Sequence, residues 1–241
     1  MPADSAIDSP TYGTSAGDIL NRRKSVLWLG TILVAGLLWL AIDVLGFGLK
    51  PADLREFDPD AVARLETDMW RSYYDRRQLL LFFQLAETLR TQYHVPFLRS
   101  NVIAFRGAKA AFIFKDGKNR ADYERALPDL VRYYGWIHRN SSTPFDVNQA
   151  ARLELEWWII HRERDRYTRQ ELDRSLAELQ AALYNMPLER FLQHGRLRAE
   201  AMLIRDDKWA AGGVSESDWA QIHELLRQSW RALWTEVQPR T

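Results

Sequence analysis

The chain has 241 residues, with 33 Lys and Arg against 32 Asp and Glu, a formal net charge of +1, and no cysteine. That balance gives no strong field for nucleic acid or anionic lipid, so no nucleic-acid partner is expected. The missing thiols exclude disulfide staples, thiolate zinc sites, cysteine-ligated iron–sulfur clusters and covalent c-type haem. Zero cysteine is neutral on redox compartment, because either one tolerates it.

Residues 1–24 are small, polar and Pro/Gly-bearing, a leader expected to be disordered unless a partner orders it. Residues 25–49 follow as a transmembrane helix with Asp43 as their one charge. The uncharged run from Ser25 to Ile42 rises about 27 Å, close to the hydrocarbon thickness of a bilayer. It is longer than a signal-peptide apolar region and begins late, so a retained anchor is expected rather than a cleaved signal. Trp28 and Trp39 are taken as membrane-anchor residues. They lie some three turns apart, so at least one faces lipid or a partner at depth. Arg22, Arg23 and Lys24 crowd the leader side of the span, whereas Lys50, Arg55 and Arg64 are spread out beyond it. The amino terminus is therefore expected in the cytoplasm of a bacterial cell, with the span in the inner membrane and the main domain periplasmic. Residues 50–57 form a short linker whose full extension is about 28 Å.

Residues 58–241 read as an all-α extramembrane bundle of about seven helices. Asp58-Pro59 caps a helix whose periodicity runs unbroken to His94 before Pro96 stops it. A second helix covers Phe97–Lys115 and ends at the Asp116-Gly117 turn signal. Ala110-Ala111-Phe112-Ile113-Phe114 could pass for a strand, but a lone strand has nothing to pair with. Arg120–Arg139 is a helix that Pro128 kinks or divides. Asp146 caps the next, to about Asp165, and Thr168 with Glu171 makes a capping box for another through Asn185. Pro187 opens a helix that Gly212-Gly213 ends, and Ser215 with Asp218 starts the last, to about Val237.

The five histidines, His94, His138, His161, His194 and His223, have no partner at metal-motif spacing. Neither Glu-x-x-His nor His-Glu-x-x-His occurs, and nucleophile elbows, P-loops and dinucleotide fingerprints are missing. His138 and His161 both follow aromatics in Ile-His-Arg triplets, an arrangement more in keeping with a solvent border than with haem ligation. Glu154 and Glu163 would suit paired-acid chemistry only if the fold brought them together. No catalytic residue, cofactor or metal is expected. The aromatics and their arginines are the anomaly: Trp70, Arg71, Tyr74, Trp219, Trp230 and Trp234 are the candidate protein interface, since Trp, Tyr and Arg dominate such contacts.

The blocks Met69–Tyr74, Asp122–Leu130, Arg152–Trp158 and Gly212–Glu216 resemble a bacterial family of single-span, membrane-anchored, all-helical proteins with no assigned activity. The resemblance implies the architecture and a bacterial source, and no site. The expected function is that of a non-enzymatic accessory or structural subunit of a larger integral membrane complex, with photosynthetic reaction-centre and antenna or respiratory assemblies as candidate hosts. The competing expectations are a membrane-anchored enzyme with a cleft holding Glu154, Glu156 and His161, and a periplasmic assembly or binding factor.

Overall fold

The computed structural model describes residues 16–45 and 51–239. Among them there is no β-strand, only an isolated bridge between Ala52 and Ser141. The chain divides into two compact units, residues 1–48 and 49–241.

The first unit contains α1, Ala16–Leu45. This helix begins nine residues before Ser25, so residues 16–24, expected to be part of a disordered leader, are helical; residues 1–15 and 46–50 lie outside the described residues. The window Val26–Asp43 is long and apolar enough to cross a membrane. Its side chains from Val26 to Leu40 are exposed, Trp28 and Trp39 included, so the apolar surface finds no cover within its own unit. Thr31 satisfies its hydroxyl inside the helix, donating to the Leu27 carbonyl at 3.0 Å.

The second unit begins with a segment that the sequence presents as a linker and the structure builds into the body. The Ala52 amide donates to Asn140 O, the Ser142 amide donates back to Ala52 O, and Leu54 and Phe57 are buried. Apolar side chains at two of eight positions are enough to dock so short a stretch.

Nine α-helices follow where about seven are expected: α2 (Pro59–Tyr74), α3 (Gln78–Thr91), α4 (Phe97–Asp116), α5 (Arg120–Glu124), α6 (Leu127–Asn140), α7 (Val147–Arg162), α8 (Arg169–Tyr184), α9 (Leu192–Ala210, entered through a 3₁₀ turn at Leu188–Phe191) and α10 (Glu216–Val237). The starts obey the capping chemistry of the sequence. Asp58, Asn119 and Asp146 accept first-turn amides, while Thr168 with Glu171 and Ser215 with Asp218 form reciprocal capping boxes. Pro128 sits in the first turn of α6, where it divides the 120–139 segment into α5 and α6.

The expected single helix from Pro59 to His94 is instead α2 and α3. Arg76 takes φ 60, its amide donates to Tyr73 O, and the Arg77 amide donates to Ser72 O, the paired bonds of a Schellman closure. Arginine occupies the left-handed position that glycine usually fills, so the sequence carries no stop signal there.

Around the body each large helix packs on the next: α2 on α3, α3 on α4, α4 on α6, then α7, α8, α9 and α10 in turn, and α10 returns to pack on α2. The eight helices make a closed ring. Its seams hold the buried clusters, among them Ala63, Ala201, Ile222 and Leu226 between α2, α9 and α10, and Tyr134, Leu155 and Leu179 between α6, α7 and α8. Packed seams around a ring of eight helices leave space along its axis, and the polar side chains that face inward lie there.

Candidate functional site

Two cavities occupy the middle of the ring, of about 540 and 250 Å³. The larger is walled by α2, α3, α4, α7 and α9 and the smaller by α2, α3, α6, α7, α8, α9 and α10, and both are bordered by Glu66, Glu154 and Arg198. The inner stripes combine charge with aromatic rings: Glu66, Trp70 and Tyr73 on α2, Glu154, Trp157, Trp158 and His161 on α7, Arg198, Met202 and Arg205 on α9. Positions three, four and seven apart share a helix face, which is how one stripe per helix reaches the chamber.

The boundary between the cavities is an ionic cluster. Arg198 donates from Nε and Nη2 to Glu66 Oε1 at 2.9 and 2.6 Å, and Trp230 Nε1 donates to the other oxygen of Glu66. Glu154 accepts from the Tyr134 hydroxyl at 2.7 Å and from Trp158 Nε1 at 2.9 Å. Burial works against the Arg198 cation, but Glu66 and Glu154 outweigh it and hold the guanidinium charged. Its face lies 5.0 Å from the Trp157 ring centroid. Each carboxylate thus accepts from donors on both of its oxygens, three bonds to Glu66 and two to Glu154.

The outer end of the larger cavity is cationic. Lys115 lies 4.5 Å over the Tyr73 ring and donates to Tyr73 O, Arg162 stands 4.9 Å from the Phe114 ring, and Arg205 caps the Tyr74 ring at 3.0 Å. The one carboxylate in the lining there, Asp206, is shared: Arg205 is 2.7 Å, His161 3.0 Å and Arg164 3.4 Å from its oxygens. Burial would raise the Asp206 carboxyl, yet its hydrogen bonds to His161 and Arg205 bring it below the usual range. Among the described residues no carboxylate lies within 4.0 Å of Lys115 or Arg162. Burial first, then the Arg76 charge, push the Lys115 amine down against the pull of Asp116, with Arg162 and Arg205 adding to the depression.

Of the residues singled out in the sequence, Glu154 and His161 reach the chamber, whereas Glu156 does not, being held in a fork by Arg120. Glu163 is bridged to Arg166 and does not line the chamber with Glu154. His194 is buried between α9 and α10, and His223 Nδ1 lies 3.1 Å from Thr67 Oγ1. The candidate interface residues face mostly inward. Trp219 is buried, Trp230 packs beside Phe57 and His194, and Trp70 and Tyr74 line the chamber. Arg71 lies over Trp219 and forks onto Glu216 at 3.0 and 2.9 Å. Trp234, at 39% relative exposure, is the one tryptophan of the set on the surface.

Glu66, Lys115, Arg198 and Arg205 are the residues that sequence reasoning did not mark. The available signal was a charged residue in an aromatic-bearing stripe, such as Glu66 four before Trp70 on α2; α9 carries no such stripe around Arg198. No protein-family model, curated protein or solved structure matches the chain.

Proposed function

We propose that the protein is a membrane-anchored, non-enzymatic accessory factor whose helical ring holds a small amphipathic anion for the membrane assembly it serves. The observation that carries this reading is the chamber itself: about 540 Å³, aromatic along its walls, cationic at its outer end. That is the size and lining of a small-molecule site. A carboxylate or phosphate would meet Lys115 and Arg162, and an apolar body would lie against Trp70, Phe114, Trp157 and Trp158. The commitment of Glu66 and Glu154 to donors favours holding over turnover. The anchor is α1, with its amino end at the cytoplasmic face of a bacterial inner membrane and the body outside, as the Arg22-Arg23-Lys24 triplet favours.

The test uses the full-length chain in lipid nanodiscs and dansyl-labelled decanoate as probe, read by energy transfer from tryptophan. Saturable transfer is expected, and Lys115→Glu with Arg162→Glu should weaken it at least tenfold. Unsaturable transfer, equal in the parent and the charge-reversed protein, would mean partition into lipid and would sink the reading.

A further inference from the structure

The balanced charge of the whole chain conceals a strong local imbalance. Between Arg76 and Asp116, the stretch that holds α3 and α4, there are seven Lys and Arg and two acids, Glu87 and Asp116. The rest of the body, residues 51–75 and 117–241, carries 22 basic and 26 acidic side chains. The same two helices hold most of the body's uncovered apolar surface. Of the nine large hydrophobic residues exposed on the described body, six are Leu79, Leu80, Phe83, Phe97, Val102 and Phe105, and the first reaches 77% exposure. α3 and α4 pack side by side. Asp129 on α6 takes Arg106 at 3.0 Å and Lys109 at 2.9 Å, and Asp75 lies 3.4 Å from Arg77, while among the described residues Arg76 and Arg90 have no carboxylate within 4.0 Å.

We infer that the α3–α4 hairpin is a lipid-docking face, seated in the interfacial region of a bilayer that contains anionic phospholipid. Two properties choose lipid as the occupant. Exposed leucine and phenylalanine beside arginine match the apolar and charged layers of a headgroup boundary, and a concentration of positive charge on one hairpin of an otherwise acidic body is complementary to anionic headgroups. The chain supplies the proximity, because five residues, 46–50, join Leu45 of α1 to Pro51 of the body, a covalent reach of about 20 Å at full extension. Held that near, even a modest interfacial affinity acts at high effective concentration. The inference concerns a surface outside the chamber and does not depend on what the chamber binds.

The absence of cysteine makes the experiment direct. Single cysteines replace Phe83, Phe105 or Leu79 on the hairpin, Trp209 as an exposed site on α9, and Leu33 in α1, each in the full-length chain reconstituted in nanodiscs and spin-labelled. Power saturation then compares access to oxygen, which partitions into lipid, with access to a water-soluble nickel chelate. The Leu33 label should favour oxygen; if it does not, the anchor has failed and the body's labels should then favour nickel too, which would overturn the inference with it. With phosphatidylglycerol present, labels at Phe83 and Phe105 should favour oxygen, with the label at Trp209 favouring nickel. In purely phosphatidylcholine discs the oxygen preference at Phe83 and Phe105 should fall severalfold. Labels at Phe83 and Phe105 that match Trp209 in the anionic discs would overturn the inference, and so would an unchanged preference in phosphatidylcholine. Dipolar broadening between labels at Phe83 would also overturn it, by assigning the face to a second copy of the chain.

Discussion

His194 is held where burial disfavours its charged form. Its Nδ1 lies 3.1 Å from Ser229 O and 2.8 Å from Ser229 Oγ, and the Ser229 hydroxyl donates to His194 O at 2.9 Å. With the hydroxyl proton committed there, the imidazole proton belongs on Nδ1, donated to the Ser229 carbonyl, and Nε2 is left without a partner beside the Trp230 ring. Burial, with the nearby Arg198 charge adding to it, pushes the imidazole down to about 3 from 6.5. The folded pKa is depressed, so the stability that neutral His194 permits is complete above the unfolded value and is lost as pH falls from about 6.5 toward 3, because only the unfolded chain takes up the proton. Well inside that window the loss approaches about 1.4 kcal/mol per pH unit. Urea unfolding of the full chain, followed by tryptophan fluorescence, should show a loss of about 2 kcal/mol between about pH 7 and pH 5, steepening toward the acid end. His194→Asn keeps a donor near Nδ1 and has no titration, and should flatten the curve. A parent protein that unfolds at the same urea concentration at both ends would show that His194 protonates in place.

Between elements, α8 and α9 approach closely at Gly195. A Cβ built on Gly195 would stand 2.1 Å from Asp173 O and 3.1 Å from Ala177 N, both backbone atoms that cannot swing aside. Gly107 on α4 differs, because a Cβ there meets only side-chain atoms, a Leu85 methyl and the Tyr133 ring edge, both at 3.1 Å. Gly195→Ala should therefore cost about 3 kcal/mol by forcing two helices apart, and Gly107→Ala about 1 kcal/mol or less, as measured by denaturant unfolding. Equal costs would mean that α9 slides without penalty. Neither glycine stands out in the sequence, since close approach is a property of two helices and the pattern of each reports only its own face. Helix ends were legible wherever one residue makes the end: Asn185 and Gly212 close α8 and α9 in positive φ, as their residue types suggest. The end of α2 was not, because Arg76 adopts the same conformation with nothing in its chemistry to announce it.

At the scale of the whole body, what matters is that the eight-helix circuit closes. α10 and α2 are separated by most of the chain, yet Arg231 forks onto Asp60, Trp230 donates to Glu66, and His223 meets Thr67 across the seam. The amphipathic stripe of each helix was readable in the sequence; the closure was not, because a pairing between residues 60 and 231 leaves no periodic trace in either segment. The chamber shared this fate, since Glu66, Glu154 and Arg198 come from three helices and become neighbours only once the ring is complete. Closure has a measurable consequence. In an open helical stack the end helices have one neighbour and open at lower free energy than the middle. In a ring no helix is terminal, so separating α10 from α2 also strips Trp230 from Glu66 and exposes the ionic cluster to water, at a cost comparable to unfolding the body. Native-state hydrogen exchange on the full chain should give the slowest amides of α2 and α10 opening free energies within about 1 kcal/mol of those of α6 and α7. Amides of α10 that open several kcal/mol earlier, while α6 and α7 stay protected, would identify the body as an open stack whose last helix merely leans on its first.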